Sequence, residues 1–221
     1  MPSAHAKPLF VVVIGDIVRS RRLGRPERAR AQAQLKRVLL RINRDYKKSI
    51  CTPLQFTGGD ELQGVFRTAV LVFEVINRIR EAIFPVPVRF GIGIGEITTP
   101  LSHHPAEMDG PAFHRARDAL RSAKEFLGHT CLSSEQPGRD EMVNAWLDAL
   151  GFIRSGWSAR AREVIRLHEE LHALEPIAKK LGISMQAVSK HLRVTGYKAY
   201  VRGEKVMLGL LAAYDDSTSC G

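Results

Sequence analysis

The stretch Leu54-Gln-Phe-Thr-Gly-Gly-Asp-Glu-Leu-Gln-Gly-Val-Phe66 decides the reading of this chain. Leu54 and Phe56 lead in, and Leu62, Val65 and Phe66 lead out, so two short strands flank a tight turn. Gly58 and Gly59 give the turn its backbone freedom and allow close approach of a phosphate or metal. Asp60 and Glu61 then place adjacent carboxylates at the hairpin tip, an arrangement that is costly unless a cation sits opposite.

Upstream, Pro8 to Ile14 is a continuous apolar run, as expected of a buried central strand. Asp16 follows Gly15 just past its end, a favoured ligand position in open sheets, although a turn or helix-cap aspartate reads the same way. The loop Val18-Arg-Ser-Arg-Arg-Leu23 brings Arg19, Arg21 and Arg22 beside that acid, to hold phosphates or neutralise it. Pro26 opens an amphipathic helix to about Lys48, with Leu35, Leu39 and Ile42 on one face and a basic, solvated opposite face. A second helix from about Thr68 to Phe84 is stopped by Pro85 and Pro87. Val88 to Ile97 alternates apolar residues with glycines. No helix opens directly after it, so it reads as a strand packed tightly on a neighbour rather than a dinucleotide fingerprint.

His103 and His104 fall in a solvated loop, and a helix follows from Gly110 to about Leu127 with His114 on its polar side. His129 to Ser133 makes a last short strand. The order β-α-β-β-α-β-α-β predicts an α+β fold of the ferredoxin-like kind over residues 8–135.

After Pro137-Gly138 everything reads as helix. One helix runs from Asp140 to about Arg154, and Ser158 caps another that ends near His172. Leu174 to Leu192 then carries the helix-turn-helix pattern: Ala178 small at a crossing, Gly182 in the turn, Ser184 as cap, Ile183 and Val188 facing inward. Ser184, Gln186, Ser189, Lys190, His191 and Arg193 are suited to phosphates and base edges of DNA. A helical interaction module without DNA contact would share the same pattern. The all-helical part spans 138–214, with 215–221 as a frayed tail.

At 221 residues and 44% hydrophobic composition the chain can bury one core plus a satellite domain. A net charge of +10 and a pI near 9.9 favour anionic partners such as DNA and nucleotides. No run approaches the roughly 18 apolar residues of a membrane span. The first apolar run lacks a signal-peptide cleavage site, and Cys51, Cys131 and Cys220 are scattered, which together predict a soluble cytoplasmic protein.

Four pieces in order resemble the class III nucleotidyl cyclase and diguanylate cyclase superfamily, with its palm-like fold. They are Val12-Val-Ile-Gly-Asp-Ile17, Phe56-Thr-Gly-Gly-Asp60, Arg89-Phe-Gly-Ile-Gly-Ile-Gly-Glu-Ile97 and Gly110-Pro-Ala-Phe-His-Arg-Ala-Arg117. The resemblance implies that Asp16, Asp60 and the backbone carbonyl of Ile17 hold Mg²⁺ or Mn²⁺. It also puts Arg19, Ser20, Arg21, Gly58 and Gly59 on the phosphates. The cyclase base-reading Lys is replaced here by Gln55 and Phe56. Its transition-state Asn falls on His114, and its Arg falls on Asp118 unless Arg117 substitutes. Nearly the whole chain resembles the SatD family, through Gly15 to Val18, Gly59 to Glu61, Arg89 to Gly93 and Gly110 to His114.

The expected function is a homodimeric DNA-binding regulator whose palm-like domain binds a nucleotide or phosphorylated small molecule with the divalent metal. The alternative is a metal-dependent nucleotidyl-transfer or phosphohydrolase enzyme, with His114 close to Asp16 and Asp60 and serving, with Glu61, as acid or base.

Overall fold

The computed structural model describes residues 8–215, apart from the side chain of Arg21; the segment 216–221 expected as a tail lies outside the described residues. Five strands form one sheet in the order β2-β3-β1-β4-β5. They are β1 (Phe10–Ile17), β2 (Ile50–Gly58), β3 (Glu61–Phe66), β4 (Val88–Gly95) and β5 (Thr130–Ser133). All neighbours run antiparallel except β4 and β5. Central β1 is longer than the apolar run alone predicts, because ladder pairing with β4 carries it through Gly15 and Asp16 to Ile17.

Alternation along β1 divides the core. Val11, Val13 and Ile17 point to the face covered by α1 (Arg25–Asp45) and α2 (Ala69–Ile83), where Leu35, Ile42, Val72 and Ile76 meet them. Val12 and Ile14 point to the other face, against Ala112, Phe113 and Ala116 of α3 (Pro111–Ser122). The glycines of β4 explain how close α3 lies. A Cβ at Gly91 would stand 2.1 Å from the Ala116 carbonyl oxygen, and one at Gly93 2.1 Å from that of Ala112. Helix backbone rests on strand backbone there, and no larger residue fits.

At each edge of the sheet an asparagine pairs with the backbone of one residue, as a neighbouring strand would. Asn43 on α1 donates to the Leu54 carbonyl at 2.8 Å and accepts from its N–H at 2.9 Å. Asn144, on α4 (Pro137–Ser155), does the same for Leu132 at 2.9 and 2.7 Å. Each amide satisfies backbone groups that an open edge would offer to another chain.

Beyond β5 the chain is helical: α4, α5 (Ala159–Leu171), α6 (Leu174–Leu181), α7 (Met185–Val194) and α8 (Tyr197–Asp215). These helices do not form a detached satellite. Leu147, Leu150, Met207, Leu211 and Tyr214 belong to the same buried cluster as the α2 residues Val72, Val75 and Ile79. The end of α8 is sewn to the sheet by polar bonds as well. The Tyr214 hydroxyl donates to buried Asp140 at 2.7 Å, and Asp140 also accepts from the Ser134 N–H and hydroxyl at 2.6 Å each. Asp215, expected in the tail, instead ends α8 and accepts from the N–H groups of Ala69 and Val70 at 2.6 and 3.4 Å. It thereby caps α2 from the far end of the chain.

Candidate functional site

The polar end of the β1–β3–β4 ladder gathers the acids picked out in the sequence. Gly15 pairs with Leu62, so one step further Asp16 stands opposite Glu61, on the face that also carries Gln63. Gly59, at φ 57°, turns the hairpin and leaves Asp60 and Glu61 at its tip. Glu61 is fixed in place: the Gln63 amide donates to Oε1 at 2.6 Å and the Thr57 hydroxyl at 3.3 Å. Glu61 thus faces the same side as Asp16.

Across the other ladder Asp16 pairs with Arg89, whose Nη1 reaches Asp16 Oδ2 at 3.2 Å. Among the described residues, the second oxygen, Oδ1, is buried with no hydrogen-bond partner. Burial pushes the Asp16 carboxyl up from its ordinary 3.8, and the charges of Asp60 and Glu61 push the same way. Arg89 and Lys124 pull against them. Three acids and two bases therefore act on one another within this corner. Among the described residues, no group of three or more His, Cys, Asp or Glu side chains is gathered tightly enough to hold a metal ion by itself.

The flanking loop closes tightly. Arg19 is left-handed at φ 54° and exposed, and it opens a short 3₁₀ turn, Ser20–Arg22; Ser20 is buried. Ile17 turns its side chain into the α1–α2 core, and Gly58 and Gly59 are open to solvent with nothing near a Cβ built on them.

His114 does not join this group. It lies in the first half of α3, exposed, with Nε2 at 3.3 Å from Asp109. The contacts of Gly91 and Gly93 set α3 against β4 so that Ala112 to Ala116 lie beside Gly93, which pairs with Val12. Val12 is four residues from Asp16, roughly 13 Å along the strand. Helix direction, which the sequence pattern leaves open, brings Lys124 to the acidic end in place of His114.

Arg89 and Lys124 are the residues sequence reasoning passed over. Arg89 carried a signal, as the one charged residue of β4, but its partner follows only from the β1–β4 register.

The second candidate surface lies on α7. Gly182 takes φ 62°, and the Ile183 N–H returns to the Ala178 carbonyl at 3.1 Å, ending α6 in a tight turn. Ser184 caps α7 by accepting from the Ala187 N–H at 3.1 Å. Val188 and Leu192 face inward with Ile177 and Ala178. That leaves Gln186, Ser189, Lys190 and Arg193 exposed at i, i+3, i+4 and i+7, a single outward stripe, with His191 half-buried beside it.

These features define a mixed α+β protein with a central five-stranded sheet, a carboxylate-tipped hairpin and a helical C-terminal half. The SatD family matches residues 10–211, and the chain belongs to that family. No curated protein matches it. Among solved structures, a bacterial light-regulated adenylyl cyclase aligns with 15% identity and a TM-score of 0.41, over 57% of this chain and 75% of the cyclase chain. Among the described residues, no helix is long and apolar enough to cross a membrane.

Proposed function

We propose that this protein is a DNA-binding regulator whose ferredoxin-like, cyclase-like part takes a nucleotide or other phosphorylated ligand together with Mg²⁺ or Mn²⁺. The observation that carries the reading is the α7 stripe of Gln186, Ser189, Lys190 and Arg193, held outward behind a capped turn. In a helix-turn-helix, the second helix presents such a stripe to the major groove. In a homodimer, two of these helices would meet successive turns of the duplex.

The donor set at the acidic corner fits the metal. Mg²⁺ is commonly held by one or two carboxylates and completes its shell with water and phosphate oxygens. Asp16 Oδ1, buried and unpartnered, supplies one such oxygen. Asp60 would supply the other, and the Ile17 carbonyl a third ligand. When bound, the ion neutralises phosphate charge and orients the ligand. Arg19 and Ser20 would take the phosphates, while Arg89 holds Asp16 through Oδ2. A ligand at this corner shifts DNA affinity only if it binds two arrangements of the molecule unequally. The polar ties of α8 to α2 and α4 are the physical link along which such a difference would act.

The enzyme reading keeps Glu61 as its acid or base, since Glu61 is fixed on the face of Asp16. It loses His114, which stands at the other end of α3.

The direct test is selection of duplexes from a random-sequence pool by the full chain, followed by fluorescence anisotropy on the selected DNA across a salt series. The expected result is a recurring sequence whose affinity falls steeply with salt. Failure to enrich any sequence, with Lys190→Ala and Arg193→Ala binding like wild type, would overturn the DNA assignment.

A further inference from the structure

Three arginines converge where the helical half is fastened to the sheet, and two of them share one carboxylate. Arg154 on α4 and Arg162 on α5 both donate to Oε1 of Glu81, Arg154 at 2.6 Å. Among the described residues, Arg80 on α2 pairs with no carboxylate. Its Nη2 donates to the Gly128 carbonyl at 2.5 Å, the His129 carbonyl at 3.3 Å and the Thr130 hydroxyl at 2.5 Å. Among the described residues its Nε and Nη1 make no hydrogen bond. Arg154 Nε and His129 Nδ1 are in addition fully buried, and among the described residues they have no partner.

Arg80, His129, Arg154 and Arg162 line one cavity of about 230 Å³, whose remaining wall is largely apolar (Phe84, Pro85, Leu127). Among the described residues, no carboxylate lines it. Glu81, Glu169 and Glu204 face Arg154 from a separate, larger cavity of about 1070 Å³. The like charge is felt at Arg80 and Arg162, whereas Tyr200 and Glu81 together hold the pKa of Arg154 up against its burial. Burial and then the neighbouring Arg154 press the Arg80 pKa down to about 10, with Arg162 adding to the effect. Burial likewise lowers the pKa of Arg162, against the pull of Glu81. Buried guanidinium charge without a counter-ion is costly, and a planar fork of donors is well matched to an oxyanion.

We propose that this cavity is a binding site for a small oxyanion, either inorganic phosphate or the phosphate group of a small phosphorylated molecule. Arg80 and Arg154 supply the free donors, His129 a further N–H, and Arg162 adds charge. Its lining includes none of Asp16, Asp60 or Glu61, although His129 also feels the charge of Arg89 and Arg19, and it needs no metal. Its walls come from α2, the loop before β5, α4 and α5, so an occupant bridges the sheet half and the helical half.

Isothermal titration of the full chain with inorganic phosphate, at fixed ionic strength and with EDTA present, tests the proposal. Saturable one-to-one binding is expected in wild type and equally in Asp16→Asn, which separates this site from the acidic corner. Arg80→Gln should weaken it about tenfold or more, the worth of a lost charge-assisted hydrogen bond. Glu81→Gln should strengthen it several-fold, because it releases two guanidiniums from their shared carboxylate. Glu81 is half-exposed, so that variant decides the matter even if Arg80→Gln does not fold. Titration with glycerol phosphate separates the two sources: tighter binding of the monoester points to a phosphorylated metabolite, tighter binding of inorganic phosphate to the free ion. Absence of saturable phosphate binding, loss of it in Asp16→Asn, or a folded Glu81→Gln with unchanged or weaker affinity would each overturn the proposal.

Discussion

Arg89 and Asp16 face each other directly across the β1–β4 ladder, with Nη1 of the arginine 3.2 Å from Oδ2 of the aspartate. The pairing satisfies one carboxylate oxygen and leaves the other buried and unpartnered. A folded chain that keeps such an oxygen bears a desolvation cost, which a bound cation would offset.

The cost has a pH signature. Burial raises the folded-state pKa of Asp16 above its ordinary 3.8, so the folded protein holds this proton more tightly than the unfolded chain. Stability from this group is therefore greatest at low pH and is lost as pH rises through the folded value. Asp16→Asn removes the titration. Its Tm relative to wild type, in metal-free buffer, should climb as pH rises from about 3.8 and then level off above the raised pKa. A difference that stays flat or shrinks with pH would show that Asp16 is not destabilised by burial.

The close rest of α3 on β4 predicts a severe penalty for a single methyl group. Gly93→Ala must push apart backbone atoms, with its Cβ 2.1 Å from the Ala112 carbonyl oxygen and 2.4 Å from the Ala116 nitrogen. Overpacking of this kind costs roughly 3 kcal/mol. Urea denaturation of Gly93→Ala beside Gly138→Ala, where a Cβ meets nothing within 4 Å, isolates the effect. Equal midpoints for the two variants would contradict the packing.

Asp215 gives a prediction for the other end of the chain. Its carboxylate takes two N–H groups at the start of α2, which Thr68 also caps through the Leu71 N–H at 3.3 Å. Asp215→Ala should cost about 1 kcal/mol, as for loss of a helix cap, measured by chemical denaturation. No loss of stability would return Asp215 to the role of a frayed end.

What the sequence disclosed and what it hid follow one physical line. The hairpin, the tight glycine strand and the capped turn before α7 were legible because their determinants are local: Gly59 at positive φ, the alternating glycines of β4, Ser184 three residues before Ala187. Arg89 was overlooked and His114 misplaced because their surroundings depend on strand register and helix direction between segments far apart in sequence. Asp215 looked like the start of a tail because it sits among terminal polar residues, while the groups it binds lie 145 and 146 positions earlier. The helices read as a satellite for the same reason. Their apolar stripes are visible in the sequence, but that they pack on α2 is not.

On DNA, the α7 stripe should divide its residues by the kind of contact. Lys190→Ala should lower affinity across all sequences and reduce the salt slope by about 1, as expected for one phosphate contact. Gln186→Ala should relax preference at one base position, at a cost of about 1–3 kcal/mol. Anisotropy across a salt series and a panel of single-base variants reads both. Uniform small losses from each variant would mean the stripe is not the reading surface.

For a metal-held ligand at the acidic corner, the most direct measurement is thermal unfolding of the full chain with a panel of nucleotides, each with and without Mg²⁺. A ligand that binds the folded state alone raises Tm in proportion to the logarithm of its concentration over Kd. A Tm rise is expected for at least one nucleotide, one that requires Mg²⁺ and disappears in both Asp16→Asn and Asp60→Asn. A rise that persists in those variants, or that occurs equally without the metal, would contradict a metal-held ligand at Asp16 and Asp60.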